Sequence, residues 1–156
     1  MTKTELETIL SSESSRFRAH DDARWSFVAH GVPMQAFCSE AKDRMRVMAA
    51  VCYLEDVTEE QLRLLLRGSF HADARYAIHE TTVFAAYLHP LGRLSETELR
   101  DGIRQVASMA RTFGTRFAAG GMSFQWPRPA PEGSGIRRRT VEAVQKQLER
   151  ARGQRD

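Results

Sequence analysis

Apolar residues recur at three- and four-residue spacing in three segments of the chain, a pattern typical of helices with one buried face. Each segment begins with a Ser or Thr that is followed three residues later by Glu or Gln, as in a capping box. These pairs are Thr4 with Glu7, Thr58 with Gln61, and Ser95 with Glu98. The pattern predicts three helices, whose apolar stripes are Leu6, Ile9 and Leu10; Leu62, Leu65 and Leu66; and Leu99, Ile103, Val106, Ala110 and Phe113.

Glycines are expected to end the second and third helices. Gly68 and Gly114 follow the last apolar residue of each pattern, where a left-handed residue commonly closes a helix. Gly102 instead lies inside the third helix, where glycine costs up to about 1 kcal/mol relative to alanine. We expect the apolar contacts of this helix to offset that cost.

Two segments alternate with a period of two, which indicates β-hairpins. Residues 24–40 turn around Gly31 and Pro33, and residues 74–88 turn near Glu80 and Thr81. The apolar face of the first hairpin consists of Trp25, Phe27, Ala29, Met34, Ala36 and Cys38. The second hairpin is apolar on both faces, with Tyr76, Ile78, Val83 and Tyr87 on one and Ala77, Phe84, Ala86 and Leu88 on the other.

A further strand is predicted over residues 45–54, and it too is apolar on both faces. The order of elements is then α-β-β-β-α-β-β-α, followed by a basic segment. This order predicts an α+β fold with a single antiparallel sheet of about five strands and helices packed on it. We expect this domain to span residues 1–117. A Pro-, Gly- and Ser-rich linker over residues 118–135 and a basic amphipathic helix over residues 136–156 complete the predicted organisation.

The residues from 45 to 113 resemble the YbjN domain, a bacterial relative of the type III secretion chaperones of the Tir chaperone type. The likeness rests on Leu62-Arg63-Leu64-Leu65-Leu66, on residues 74–79 and 83–88, and on Leu91-Gly92-Arg93-Leu94 leading to Leu99. The resemblance implies a sheet with helices packed on it, usually a dimer, that holds another polypeptide. It offers no catalytic residue to carry over.

The distribution of charge departs from this family, whose secretion chaperones are generally acidic. Residues 1–135 hold 16 Lys and Arg against 17 Asp and Glu, so this part is close to neutral. The last 21 residues hold 7 against 3, which accounts for the formal net charge of +3. The family often has Asn after the Leu-rich helix, where this chain has Gly68 and Ser69. Glycine accepts the same left-handed backbone, so the turn is expected to survive.

The excess of apolar sheet surface is the main functional signal. Three helices can cover one face of the sheet, so the residues of the other face would be exposed in a monomer. We interpret this surface as a site for a protein partner, an unfolded polypeptide segment or a second copy, with strand addition at a sheet edge as a further mode. The alternative is a face that the N-terminal helix covers. The predicted partner-binding residues are Met48, Phe84, Ala86 and Leu88.

The basic C-terminal segment has a thin apolar stripe formed by Val141, Val144 and Leu148. We predict that this stripe docks on a protein partner, or that the segment is a solvated helix. The alternative is a regulator that grips nucleic acid or an acidic partner through the basic side chains. The segment lacks an aromatic residue for base stacking, which favours the first interpretation. The basic residues in question are Arg137, Arg138, Arg139, Lys146 and Arg150.

The sequence contains no recognisable catalytic or metal-binding motif. None of the five histidines has the spacing of a known metal motif, although His71, His89 and Asp73 are expected near the open end of the second hairpin. A small metal-dependent enzyme would require that site, but surface histidines at strand ends are common and no third ligand is identifiable, which favours the interpretation without a metal. Cys38 and Cys52 are expected as buried free thiols. We therefore predict a non-enzymatic protein without a cofactor.

No apolar run approaches the roughly 18 residues that a membrane-spanning helix requires. The first ten residues are charged and amphipathic and do not resemble a signal peptide. We therefore expect a cytoplasmic protein with no membrane partner.

Overall fold

The computed structural model describes residues 1–20, 23–68 and 73–113. Six strands form one antiparallel sheet in the order β1-β2-β3-β4-β6-β5. The predicted α+β fold with a single antiparallel sheet is confirmed, with six strands instead of five. The elements are α1 (Lys3–Ser12), β1 (Arg16–His20), β2 (Arg24–Ala29), β3 (Val32–Ser39), β4 (Arg44–Tyr53), α2 (Glu59–Gly68), β5 (Ala74–His79), β6 (Thr82–His89) and α3 (Glu96–Thr112).

The additional strand is β1, which pairs with β2 at one edge of the sheet. Its sequence, Arg-Phe-Arg-Ala-His, has a single large apolar residue, Phe17, which packs partly against the core. An edge strand needs few apolar residues because solvent reaches it from one side. In β1, arginines alternate with other residues instead of apolar residues alternating with polar ones. A search for hydrophobic periodicity therefore does not detect this strand.

The first hairpin turns at His30 and Gly31, whose φ angles are 51° and 75°. Two left-handed residues between Ala29 and Val32 make a two-residue turn of the type I′ class, which suits the twist of antiparallel strands. The prediction that Pro33 lies in the turn is wrong, since Pro33 is the second residue of β3. Its missing N–H is tolerated because the pairing of β3 with β4 begins beyond it, at Gln35.

The second hairpin is confirmed in position and register. His79 pairs with Thr82 across a turn that contains Glu80, and Ile78 pairs with Val83. β6 also pairs with β4 over most of its length, which places β4 inside the sheet between β3 and β6. The prediction that β4 is apolar on both faces holds only in part, because Arg44 and Arg46 lie on the face opposite Met45 and Val47.

α1 and α3 pack on the same face of the sheet, hereafter the helical face. Leu6, Ile9 and Leu10 of α1 belong to one buried cluster with Leu99 and Ile103 of α3. Two polar contacts fix these helices to the sheet. The indole Nε1 of Trp25 donates to Glu7 at 3.0 Å, and the hydroxyl of Tyr76 donates to the carbonyl of Met109 at 2.9 Å. The strand residues in the cluster include Phe27, Met34, Ala36, Met45, Val47, Ala49, Val83, Ala85 and Tyr87.

Capping boxes begin α1 and α3, and the same pair of hydrogen bonds precedes α2. Ser95 with Glu98 caps α3 as predicted, and Thr58 exchanges hydrogen bonds with Gln61 as predicted. The prediction of Thr4 with Glu7 is wrong, because α1 begins two residues earlier and is capped by Thr2 with Glu5. Glu7 is then available to accept from Trp25. Hydrogen bonds from Ser95 hold the pKa of the Glu98 carboxyl below its usual value.

Gly102 has a packing role that its helix propensity does not reveal. It is buried in α3, and the ring of Tyr87 lies directly against its backbone. A Cβ atom at this position would lie 2.6 Å from Cδ1 of Tyr87. Glycine is therefore required for the close approach of α3 to β6. The loss of helix propensity at this position accompanies that contact.

We predict that Gly102→Ala destabilises the protein, because the added methyl group must displace the Tyr87 ring. Overpacking of this kind costs about 1–3 kcal/mol, and the melting temperature should fall by several degrees. The matched control is the same change in a Tyr87→Leu background, where the clash is relieved and the penalty should shrink. A higher melting temperature for Gly102→Ala alone would mean that helix propensity outweighs the contact.

Candidate functional site

The sheet face opposite α1 and α3, hereafter the open face, forms a shallow concavity of about 1150 Å³. All the residues that line it belong to the six strands. Within the described part of the chain, no helix therefore covers this face. The apolar side chains directed toward it are Val28, Pro33, Phe37, Met48, Ala50, Phe84, Ala86 and Leu88.

The structure brings the four sequence-predicted sheet residues together on adjacent strands. Met48 of β4 is paired with Ala86 of β6, and Phe84 and Leu88 flank Ala86 on the same face. Leu88 is 50% exposed, and Met48 and Phe84 are half-buried. The expectation that all four are exposed is wrong for Ala86, which is 4% exposed. Its short side chain lies between the longer side chains of Met48 and Arg75, its partners on the neighbouring strands.

The alternative in which α1 covers this face is excluded. The apolar stripe of α1 is buried with Trp25 and the other residues of the helical face. Successive side chains along a strand point to opposite faces of the sheet, so Trp25 and its neighbour Ser26 lie on different faces. Ser26 lines the open face, and α1 lies on the other side.

Sequence reasoning missed a set of arginines on the open face. Every arginine within a strand has the strand position that places it on this face. No Asp or Glu occurs within any of the six strands. The signal was present in the alternation Arg-Phe-Arg of β1 and Arg-Met-Arg of β4. The arginines are Arg16, Arg18, Arg24, Arg44, Arg46 and Arg75.

Pairing in the ladder aligns these arginines with the apolar centre. One row of paired residues crosses the whole sheet, from Arg18 on β1 to Arg75 on β5, with Met48 and Ala86 near its middle. Ser26 and Gln35 complete this row. A second row places Arg46 between Phe37 and Leu88. The face therefore combines an apolar centre with arginines on both edge strands and on the interior strands β2 and β4.

Three arginines on the helices have carboxylate partners, in contrast to four of those on the sheet. Arg100 of α3 pairs with Glu13 and with Glu96, and Arg63 of α2 pairs with Glu59. Among the described residues, no ion pair joins Arg16, Arg18, Arg46 or Arg75 to a carboxylate. Within the described residues, these four arginines therefore place positive charge without a paired carboxylate on the open face.

α2 presents a second apolar surface. Leu65 is 3% exposed, whereas Leu66 is 72% exposed, the largest exposure among the large apolar side chains of the described residues. The prediction that Leu62, Leu65 and Leu66 share one buried stripe is therefore wrong for Leu66. Neighbouring residues in a helix are about 100° apart, so burial of Leu65 turns Leu66 toward solvent.

The histidine site expected from the sequence is only partly described, because His71 lies outside the described residues. Asp73 and His89 border one small depression. Asp73 accepts from the Gln105 amide at 3.3 Å. The Nδ1 atom of His89 lies 2.9 Å from the Pro90 carbonyl oxygen, and its Nε2 atom lies 3.7 Å from Glu98. Within the described ranges, no three potential ligands are grouped around a metal position.

The two cysteines are free thiols, as predicted. Cys52 is buried, and burial raises its pKa to about 12. Cys38 is half-buried, which corrects the prediction of two buried thiols, and burial raises its pKa as well. Both thiols therefore remain protonated and poorly nucleophilic at neutral pH.

The tail residues named above lie outside the described residues. They are Val141, Val144 and Leu148, together with Arg137, Arg138, Arg139, Lys146 and Arg150. The predicted linker and C-terminal helix lie there too and stay predictions. In the described part of the chain, no helix is long and apolar enough to cross a membrane.

Comparison with known proteins places this geometry among solved structures. No protein-family model matches the chain, and no curated protein matches it either. Among solved structures, a chain of the HopA1–SchA chaperone–effector complex superposes with a TM-score of 0.58 at 17% identity, covering 71% of this chain and 91% of that one. The Yersinia pestis type III secretion chaperone SycH, in complex with a fragment of YscM2, gives a TM-score of 0.57 at 12% identity, covering 72% and 99%.

The protein has the type III secretion chaperone fold. A chain of the ExsC–ExsE complex agrees, with a TM-score of 0.54 at 13% identity over 69% of this chain and 90% of that one. At these identities the likeness establishes the fold, and function needs a separate argument from the open face. The finer resemblance to the YbjN domain stays a prediction.

We predict that alanine substitutions at two methionines of β4 destabilise the protein to different extents. Met45 is fully buried on the helical face, whereas Met48 is half-buried on the open face. Met45→Ala should cost about 2–5 kcal/mol of unfolding free energy, because it removes buried contacts and leaves a cavity. Met48→Ala should cost much less, within about 1 kcal/mol. Urea denaturation of the two variants checks this, and equal losses would mean that both faces are covered.

Proposed function

We propose that this protein is a non-enzymatic, chaperone-like or adaptor protein that binds a segment of another polypeptide on its open face. The observation that carries the proposal is the apolar centre formed by Met48, Phe84 and Leu88, which no described helix covers. Burial of such side chains by a partner removes apolar surface from water and stabilises the complex. Phe and Met are well suited to an interface core.

The shared fold supports this proposal. Two of the structures compared above are described as a chaperone–effector complex and as a secretion chaperone with a bound fragment. Those proteins bind a polypeptide and share the sheet architecture of this chain. The shared fold therefore supports a general function for this chain, the binding of a polypeptide.

The sheet offers two modes of binding. The first is burial of the partner's apolar side chains on the open face. The second is strand addition at β1 or β5, the two edge strands, whose outer backbone groups pair with no other strand of the sheet. The arginines of β1 flank the first of these edges, so a partner strand there would lie beside positive charge.

The alternatives have less support. A nucleic-acid role through Arg137, Arg138, Arg139, Lys146 and Arg150 receives none from the three structures, which are described as protein complexes. The absence of a catalytic function and a cytoplasmic location stay predictions from the sequence. Both ring nitrogens of His89 lie near oxygen atoms of the chain, which favours a structural role for this residue.

Selection from a random peptide library displayed on phage, with the full chain immobilised, tests the proposal. We expect selected peptides to contain large apolar residues and to bind at least about tenfold more weakly to a Phe84→Ser, Leu88→Ser double variant, since two anchors are lost. The matched control is Arg104→Ser, which removes a long exposed side chain on α3 and should leave affinity within about twofold. The proposal fails if no peptides are selected, or if the double variant binds as well as the parent.

We also propose that the chain forms a homodimer, as its resemblance to secretion chaperones implies. Leu66, 72% exposed on α2 and outside the open face, is an apolar residue that a second copy would cover. Light scattering should then give about twice the chain mass of 17.7 kDa. Leu66→Asp should lower this mass, because a carboxylate in an apolar interface is strongly unfavourable. A parent protein that stays at 17.7 kDa at high concentration would contradict the proposal.

A further inference from the structure

We propose that the occupant of the open face is an acidic amphipathic polypeptide segment, with apolar residues at its centre and a carboxylate toward each end. This inference rests on the proposed function and adds the partner's chemistry to it. It begins from the segregation of charge on the sheet. All six strand arginines are on the open face, and the strands contain no Asp or Glu.

Carboxylate pairing differs between the arginines of the helices and four of the strand arginines, Arg16, Arg18, Arg46 and Arg75. On the helices, Arg63, Arg100 and Arg104 each pair with a carboxylate of the described chain. On the open face, Arg18 and Arg75 have no such partner there. The described carboxylates nearest in sequence to Arg46 and Arg75 are Asp43 and Asp73, which accept hydrogen bonds from Gly92 and Gln105, and neither lines the concavity. A partner that supplies carboxylates would complete these pairs.

The row from Arg18 to Arg75 sets the spacing of the partner's charges. It crosses five interstrand steps, β1 to β2, β3, β4, β6 and β5. At about 4.8 Å per step, the two arginines are about 24 Å apart. An extended peptide rises about 3.3 Å per residue, so carboxylates about seven residues apart would reach both. Met48 and Ala86 lie between them and would contact the apolar centre of the peptide.

A second copy of the chain does not fit this face well. Two open faces packed together would oppose arginines with arginines, and like charges placed together are unfavourable. The C-terminal segment of the chain is excluded on the same ground. Its last 21 residues hold 7 Lys and Arg against 3 Asp and Glu, so it would bring positive charge to a positive surface.

Single-stranded nucleic acid, which also carries negative charge, fits less well because its bases need neighbouring aromatic side chains. Phe37 and Phe84 are the two outward phenylalanines of the open face, and β4 lies between their strands. Phe37 is level with Leu88, four residues from Phe84 along β6. From strand spacings, the two rings are roughly 16 Å apart. That separation is too large for successive stacked bases.

The test uses three fluorescein-labelled probes and the full chain. One synthetic peptide has Glu on either side of a Phe- and Leu-containing centre, with about seven residues between the charges. The second replaces each Glu with Lys, and the third probe is oligo-dT. Fluorescence anisotropy should show at least about tenfold tighter binding of the Glu peptide than of the Lys peptide at low ionic strength. Added salt should reduce this difference, because the charges are exposed.

Arginine variants connect the preference to the open face. An Arg18→Ser, Arg75→Ser double variant should bind the Glu peptide several-fold more weakly, with little change for the Lys peptide. The matched control is Arg104→Ser, which removes a cation on α3 and should leave the Glu peptide's affinity unchanged. Circular dichroism confirms that the variants are folded.

Three outcomes would overturn the inference, and they differ in what else they overturn. Equal binding of both peptides, with loss in the Phe84→Ser, Leu88→Ser variant, would remove the acidic preference and leave the proposed function standing. Binding of neither peptide, in a chain that also selects no library peptide, would overturn both. Tighter binding of oligo-dT than of the Glu peptide, lost in the Arg18→Ser, Arg75→Ser variant, would assign the face to nucleic acid.

Discussion

The structure depends on one packing constraint: a sheet of six strands has two faces, and α1 and α3 cover the same one. That arrangement is fixed by large buried contacts, including Trp25 against α1 and the Tyr87 ring against Gly102. Burial of the helical face stabilises the fold, and the open face is left to solvent or to a partner. The functional surface is thus a consequence of how the core is closed.

The arginines of the open face counteract the tendency of an exposed apolar surface to aggregate. An exposed apolar sheet would promote aggregation, and charged side chains on edge strands oppose it. Here three of the six strand arginines, Arg16, Arg18 and Arg75, lie on the edge strands β1 and β5, on either side of the centre formed by Met48 and Leu88. The same charges that discourage association with another copy would select a partner of opposite charge. Protection and specificity can therefore arise from one set of residues.

Much of the fold could be predicted from the sequence because its signals are local. The capping pairs Thr58 with Gln61 and Ser95 with Glu98, and the turn at Glu80, require no knowledge of distant residues. β1 was missed because an edge strand carries few apolar residues, and Leu66 was misplaced because its exposure depends on how α2 packs. The predicted residues Met48, Phe84 and Leu88 do lie together, but the arginines around them become a site only when the strands are paired in register.

Methionine oxidation in the free, native chain tests most directly whether the open face is uncovered. Met45 and Met48 differ by three positions on β4 and lie on opposite faces, so each serves as the other's control. Under dilute peroxide, we expect mass spectrometry to show Met48 oxidised several-fold faster than Met45, because its thioether is reachable by solvent. Equal protection of both methionines would contradict the account, since the open face would then be covered by the chain itself or by a second copy.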